Sequence, residues 1–85
     1  MKIIIASDEK TNLTDWVVSY LEKTDNEVIR GGALTGSNAG WADIGYEAAK
    51  NVASGAFDLG IFFCWSGTGI CMAANKVKGA RAALC

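Results

Sequence analysis

Apolar positions along this chain follow two periods in turn, and the alternation between them outlines a fold. Ile3, Ile4, Ile5 and Ala6 form an unbroken, largely β-branched run that stops at Ser7-Asp8-Glu9. A short apolar run closed by turn formers reads as a buried strand. The period then changes. Leu13, Trp16, Val17, Tyr20 and Leu21 recur at helical spacing, which predicts a helix with that stripe against the core. Thr11 or Asn12 can cap it, and Asp15 favours its positive end. Asp25-Asn26 ends the helix, and residues 27–30 form a short second strand. Residues 31–40, GGALTGSNAG, hold four glycines among small residues and read as a connecting loop. A second helix follows, with Trp41, Ile44, Ala48 and Val52 on one face and Gly55 as its stop. Residues 58–64 then predict a third strand, residues 70–77 a third helix stopped at Gly79, and residues 80–84 a fourth strand reaching Cys85.

The predicted order is β-α-β-α-β-α-β. Strands alternating with helices imply one parallel sheet covered on both faces, a three-layer α/β/α sandwich of Rossmann-like type with right-handed crossovers. Ligands of such sheets bind beyond the carboxyl ends of the strands, where the strand order reverses. With the first strand central and the second and third on either side, that point falls between Asp8 and Cys64.

Eighty-five residues make one domain at most, and no linker divides them. The net charge is −1, with eight basic residues scattered along the chain, so nothing predicts a nucleic-acid surface. No apolar run approaches the ~20 residues of a membrane span. The N-terminal apolar run is shorter than the roughly 7–15 residues of a signal peptide core. Three cysteines without a CxxC, and no histidine, argue against a disulfide framework or a zinc site and for reduced thiols in the cytoplasm.

The stretch of residues 59–76, LGIFFCWSGTGICMAANK, carries the candidate chemistry. Gly67 and Gly69 allow a sharp turn and close approach of a ligand. The helix that follows aims free N–H groups and its positive end at that turn, an anion site. Cys64 sits at its rim, where the helix field favours a thiolate able to act as nucleophile or base. The alternative is an inert buried cysteine. Asp8 either caps a loop or binds hydroxyls, and its carboxylate would oppose the thiolate unless a substrate lay between them. Ser66 and Thr68 either satisfy the turn or touch the ligand. Cys71, inside the helix, reads as core filling.

Taken together, ASDE near the start, VASGAFDLGIFFCWSGTG, and AANKVKGARAALC resemble the ribose-5-phosphate isomerase B and galactose-6-phosphate isomerase family. CWSGTGICMAANK aligns without a gap with that family's usual CGTGIGMSIAANK. The resemblance implies aldose–ketose isomerisation of a phosphorylated sugar, of the ribose-5-phosphate/ribulose-5-phosphate type in pentose phosphate metabolism, through an enediolate. It implies Cys64 as the base and Ser66 in the place of a threonine that helps open the sugar ring. Substrate contacts fall to Asp8 and to the turn residues Trp65, Gly67, Thr68 and Gly69. No metal or organic cofactor is implied. Three positions depart from the family: Glu9 stands where a histidine is common, Trp41 where a loop tyrosine is expected, and Trp65 where a glycine adjoins the base. All three border the substrate. Family members carry further strands and helices, with a ring-opening histidine and phosphate-holding arginines that serve a neighbouring subunit. Residues 1–85 therefore read as the N-terminal part of a longer isomerase domain that works as a homodimer or homotetramer with shared active sites. The competing reading is a non-catalytic subunit or sugar-phosphate-binding module of the same fold.

Overall fold

The computed structural model describes residues 1–36 and 40–84. It is a three-stranded parallel sheet in the order β2-β1-β3, with β1 (Lys2–Ser7) central, β2 (Glu27–Gly32) on one side and β3 (Leu59–Phe63) on the other. Helix α1 (Asn12–Glu22) joins β1 to β2. A 3-10 turn (Ala33–Thr35) and α2 (Trp41–Ala53) lead to β3, and α3 (Thr68–Asn75) follows. Residues 37–39 of the glycine-rich connector and Cys85 lie outside the described residues.

Side chains of β1 alternate between two cores, as a doubly covered strand requires. Ile4 and Ala6 pack with Ile44, Ala48 and Ile70 of α2 and α3. Ile3 and Ile5 pack with Val18 of α1, with Val17, Leu21, Val28, Ile61 and Phe63 around them. Burial of these aliphatic groups is the main stabilising term. On α2, Gly45 lets α3 come close: a Cβ there would sit 2.8 Å from Ile70 Cγ1 and 3.1 Å from the Ile70 carbonyl oxygen.

Three expectations change. In α1 the buried side is Thr14 and Val18, whereas Leu13, Trp16 and Tyr20 are exposed, the two rings stacked at 5.3 Å. The inward stripe Thr14, Val17, Val18, Leu21 has the same helical spacing, displaced by one residue. Thr14 tolerates burial because its hydroxyl donates to the Thr11 carbonyl (2.8 Å) and accepts the Thr11 N–H (3.0 Å). Thr11 reciprocates at the Thr14 N–H (3.2 Å), a capping box that starts the helix.

The second change is the fourth strand. Among the described residues, 80–84 form no ladder with β3. Ala80 and Ala82 pack instead on Ala49, Ala74 and Val77. Both backbone polar groups of Ala82 are taken by the side chain of Asn75. Helix α3 also begins two residues earlier than the apolar pattern suggests, at Thr68, because Gly67 supplies the left-handed turn (φ 77°) that starts it.

Candidate active site

The strands end level with one another. Ser7 and Phe63 are the last paired residues of β1 and β3, and the Asp8 N–H reaches the Phe63 carbonyl at 3.4 Å. Asp8 and Cys64 are thus the next residues on adjacent parallel strands, side by side at the carboxyl end of the sheet. Ser7 is buried, and its hydroxyl donates to the Glu9 carbonyl and accepts the Glu9 N–H at 3.1 Å, which fixes the bend carrying Asp8 and Glu9. Gly32 closes β2 against the same place. Its φ of 64° and ψ of −134° suit glycine, and a Cβ would fall 2.4 Å from the Ser7 carbonyl oxygen.

Cys64 is half-buried and unbridged, backed by the Ile4, Ala6, Ile44, Ala48 and Ile70 core. A chain leaving a core strand into a glycine turn holds its first side chain at the boundary of core and solvent. Trp65 follows with 93% of its surface exposed, then the exposed Ser66. No side chain caps α3 at Gly67. The Cys71 N–H closes the first turn on the Gly67 carbonyl at 3.1 Å, and the Ser66 hydroxyl accepts the Thr68 N–H at 3.2 Å. Helical geometry leaves the Gly69 and Ile70 amides without an intrahelical acceptor. These two N–H groups, at the positive end of α3, are what the turn offers an anion. Trp41, at the start of α2, lies against Gly69: a Cβ there would stand 3.1 to 3.2 Å from three atoms of its ring system.

The structure therefore brings Asp8 to Cys64 and Trp41 to Gly69, with Trp65, Ser66, Gly67 and Thr68 in the turn between. Glu9 is exposed beside Asp8. A groove of about 750 Å³ runs along β3, with Cys64, Trp65, Ser66, Gly67, Cys71 and residues 80–84 in its walls. Asp8, Glu9, Trp41, Thr68 and Gly69 do not line it. The groove borders the turn, while the carboxylates follow the end of β1 and Trp41 lies against Gly69. Ser7, Asn75 and Leu84 fall within the stretches that carry the resemblance, but a buried serine, an exposed helix asparagine and a leucine show no role until their contacts are known. Among the described residues, no group of three or more histidine, cysteine or acidic side chains is placed to hold a metal. No helix there is long and apolar enough to cross a membrane.

A family model described as Ribose/Galactose Isomerase matches residues 3–85. Galactose-6-phosphate isomerase subunit LacB of Clostridium acetobutylicum is 43% identical over 80% of this chain and 39% of its own length. D-erythrulose-4-phosphate isomerase of Pectobacterium atrosepticum is 43% identical over 94% of this chain and 51% of its own. Ribose-5-phosphate isomerase B of Escherichia coli is 36% identical over 81% and 46%. The solved Clostridium thermocellum ribose-5-phosphate isomerase B superposes with a TM-score of 0.83 at 42% identity, over 95% of this chain and 55% of that one. The Trypanosoma cruzi type B ribose 5-phosphate isomerase gives 0.86 at 28%, over 100% and 59%. The chain spans about half the length of the relatives it matches.

Proposed function

The chain belongs to the ribose/galactose isomerase family, and from that premise we propose that the protein isomerises a phosphorylated aldose or ketose of the ribose-5-phosphate/ribulose-5-phosphate type. Cys64 as thiolate removes the proton from the carbon next to the carbonyl. The C–H electron pair becomes the C=C bond of an enediolate, and the carbonyl oxygen takes up the negative charge. The thiol then returns the proton to the neighbouring carbon while the hydroxyl proton of the second oxygen passes to the first, which leaves the carbonyl on the second carbon, so that aldose and ketose interconvert with no net oxidant. A base near the operating pH and preorganised donors at the developing oxyanion are the two requirements of such a step.

Each group has one task in this reading. The Gly69 and Ile70 amides hold the enediolate oxygen. Ser66, whose oxygen already accepts the Thr68 N–H, keeps its own proton to donate to the sugar ring oxygen during opening. Asp8 accepts hydroxyl groups of the open chain. Gly67 and Thr68 shape the turn, while Trp41 and Trp65 wall the crevice. Glu9 repels phosphate from its side, so the phosphate lies away from the Asp8–Glu9 bend. Arg30 is engaged with Glu22 at 3.3 Å and is not aimed at the turn. A neighbouring subunit of a homodimer or homotetramer supplies the phosphate clamp, and residues 1–85 form the N-terminal part of a longer, cytoplasmic isomerase domain.

One observation carries the reading. The β1–β3 register and the Asp8–Phe63 bond set a carboxylate beside a cysteine at the start of a glycine turn. The test is to incubate the full-length protein with a panel of phosphorylated aldoses and ketoses and follow interconversion by NMR. Interconversion of at least one pair supports the proposal. Binding without interconversion would assign the chain to the non-catalytic sugar-phosphate-binding class instead.

A further inference from the structure

Asn75 makes an arrangement that neither the sheet nor the proposed chemistry requires. Its carboxamide Nδ2 donates to the Ala82 carbonyl at 2.9 Å, and its Oδ1 accepts the Ala82 N–H at 2.8 Å. A side-chain amide thus makes the paired bonds that a neighbouring strand would make. Nδ2 also approaches Cys71 Sγ at 3.6 Å. With Ala80 and Ala82 packed on α2 and α3, the two bonds hold residues 80–84 alongside α3.

That segment ends on the turn. A Cβ built on Gly67 would fall 2.5 Å from Leu84 Cδ1, so the leucine methyl sits over the glycine face at the start of α3. Gly67 adopts a left-handed conformation and no side chain caps the helix there. The packing of Leu84 therefore adds an apolar restraint on the turn to the Ser66–Thr68 and Gly67–Cys71 bonds within it.

We propose that Asn75 is a positioning residue, which straps residues 80–84 to α3 so that Leu84 fixes the Gly67 turn and with it the amides that receive the substrate's oxygen. The proposal rests on the reading of the turn as the oxyanion site. It predicts graded effects. Asn75→Asp keeps an acceptor for the Ala82 N–H but turns a carboxylate toward the Ala82 carbonyl, and Asn75→Leu keeps similar bulk and loses both bonds. Each exposed bond lost shifts the strap's open-to-closed ratio by about two- to tenfold.

Three readouts on the folded protein test this. Hydrogen exchange at the Ala82 amide reports the strap, Cys64 alkylation the rim of the groove, and inorganic phosphate titrated against the Ser66 to Ile70 amide resonances the turn. In the order wild type, Asp, Leu, exchange and Cys64 alkylation should quicken and phosphate binding weaken, each by about twofold or more per step, with exchange at Ile5 unchanged. Leu84→Ala leaves the Asn75 bonds in place and should weaken phosphate binding in the same direction, which covers the case in which an Asn75 variant fails to fold. Faster Ala82 exchange with unaltered Cys64 alkylation and phosphate affinity would reduce Asn75 to a structural tie and overturn the proposal, as would an Ala82 amide indifferent to both substitutions. If wild-type phosphate binding is absent while Cys64 alkylation follows the graded order, the oxyanion reading falls and the strap stands.

Discussion

At the scale of single residues, Cys64 and Cys71 offer the sharpest contrast. Both are half-buried and unbridged, but Cys64 directly follows β3 and precedes the Gly67 turn that starts α3, whereas Cys71 lies within α3 beside Asn75. Cys64 should therefore alkylate faster in the folded protein, read site by site by mass spectrometry, with the difference vanishing in denaturant. Faster reaction at Cys71 would remove the helix start as the source of reactivity. Cys64 was legible in the sequence because an apolar run ending in Cys-Trp-Ser-Gly leaves few places for a cysteine to go. Gly32 was legible only as part of a loop, since its role depends on how closely β2 ends against β1. Gly32→Ala forces a Cβ to 2.4 Å from a backbone oxygen at φ 64°, and the strained conformation alone costs about 1–3 kcal/mol. Urea denaturation should show a loss of that size or larger.

Helices and strands were legible to the extent that their periodicity was unambiguous. In α1 two stripes of equal spacing compete, and apolar content favoured Leu13, Trp16 and Tyr20. The fold selects Thr14, Val17, Val18 and Leu21 because the capping box satisfies the Thr14 hydroxyl before burial. Thr14→Ala should accordingly cost about 1–2 kcal/mol through the lost hydroxyl bonds, while Leu13→Ala on the exposed side stays within about 0.5 kcal/mol, both by urea denaturation. The reverse order would restore the apolar stripe to the core. Gly45 makes the same point between helices. Alanine gains about 1 kcal/mol of helix propensity over glycine, but here its Cβ would meet Ile70 at 2.8 Å and 3.1 Å, and overpacking costs about 1–3 kcal/mol. Gly45→Ala is expected to be net destabilising in the same assay. Residues 80–84 kept the alternation of a strand without its ladder. Ala80 and Ala82 turn inward as a strand's would, but a side chain of α3 has taken the bonds of Ala82, and sequence spacing alone carries no trace of that.

For the molecule as a whole, the order of strands and helices was readable from β1 through α3, because each change of period marks a crossing from sheet to helix layer, and it failed at residues 80–84, which form no strand. The juxtaposition at the candidate site followed from that order: β1 between β2 and β3 puts Asp8 beside Cys64. A phosphate clamp was not readable in these residues: Arg30 is engaged with Glu22, and the relatives run to about twice this length. The central claim is that Cys64 moves the substrate proton, and a proton moved by an enzyme base exchanges with solvent. The most direct measurement is deuterium incorporation from heavy water into the interconverting carbons of a phosphorylated sugar, followed by NMR for the full-length protein and its Cys64→Ala variant. The account predicts incorporation by the wild type and none above background by the variant, with sugar-phosphate binding retained. Equal incorporation by both would contradict it.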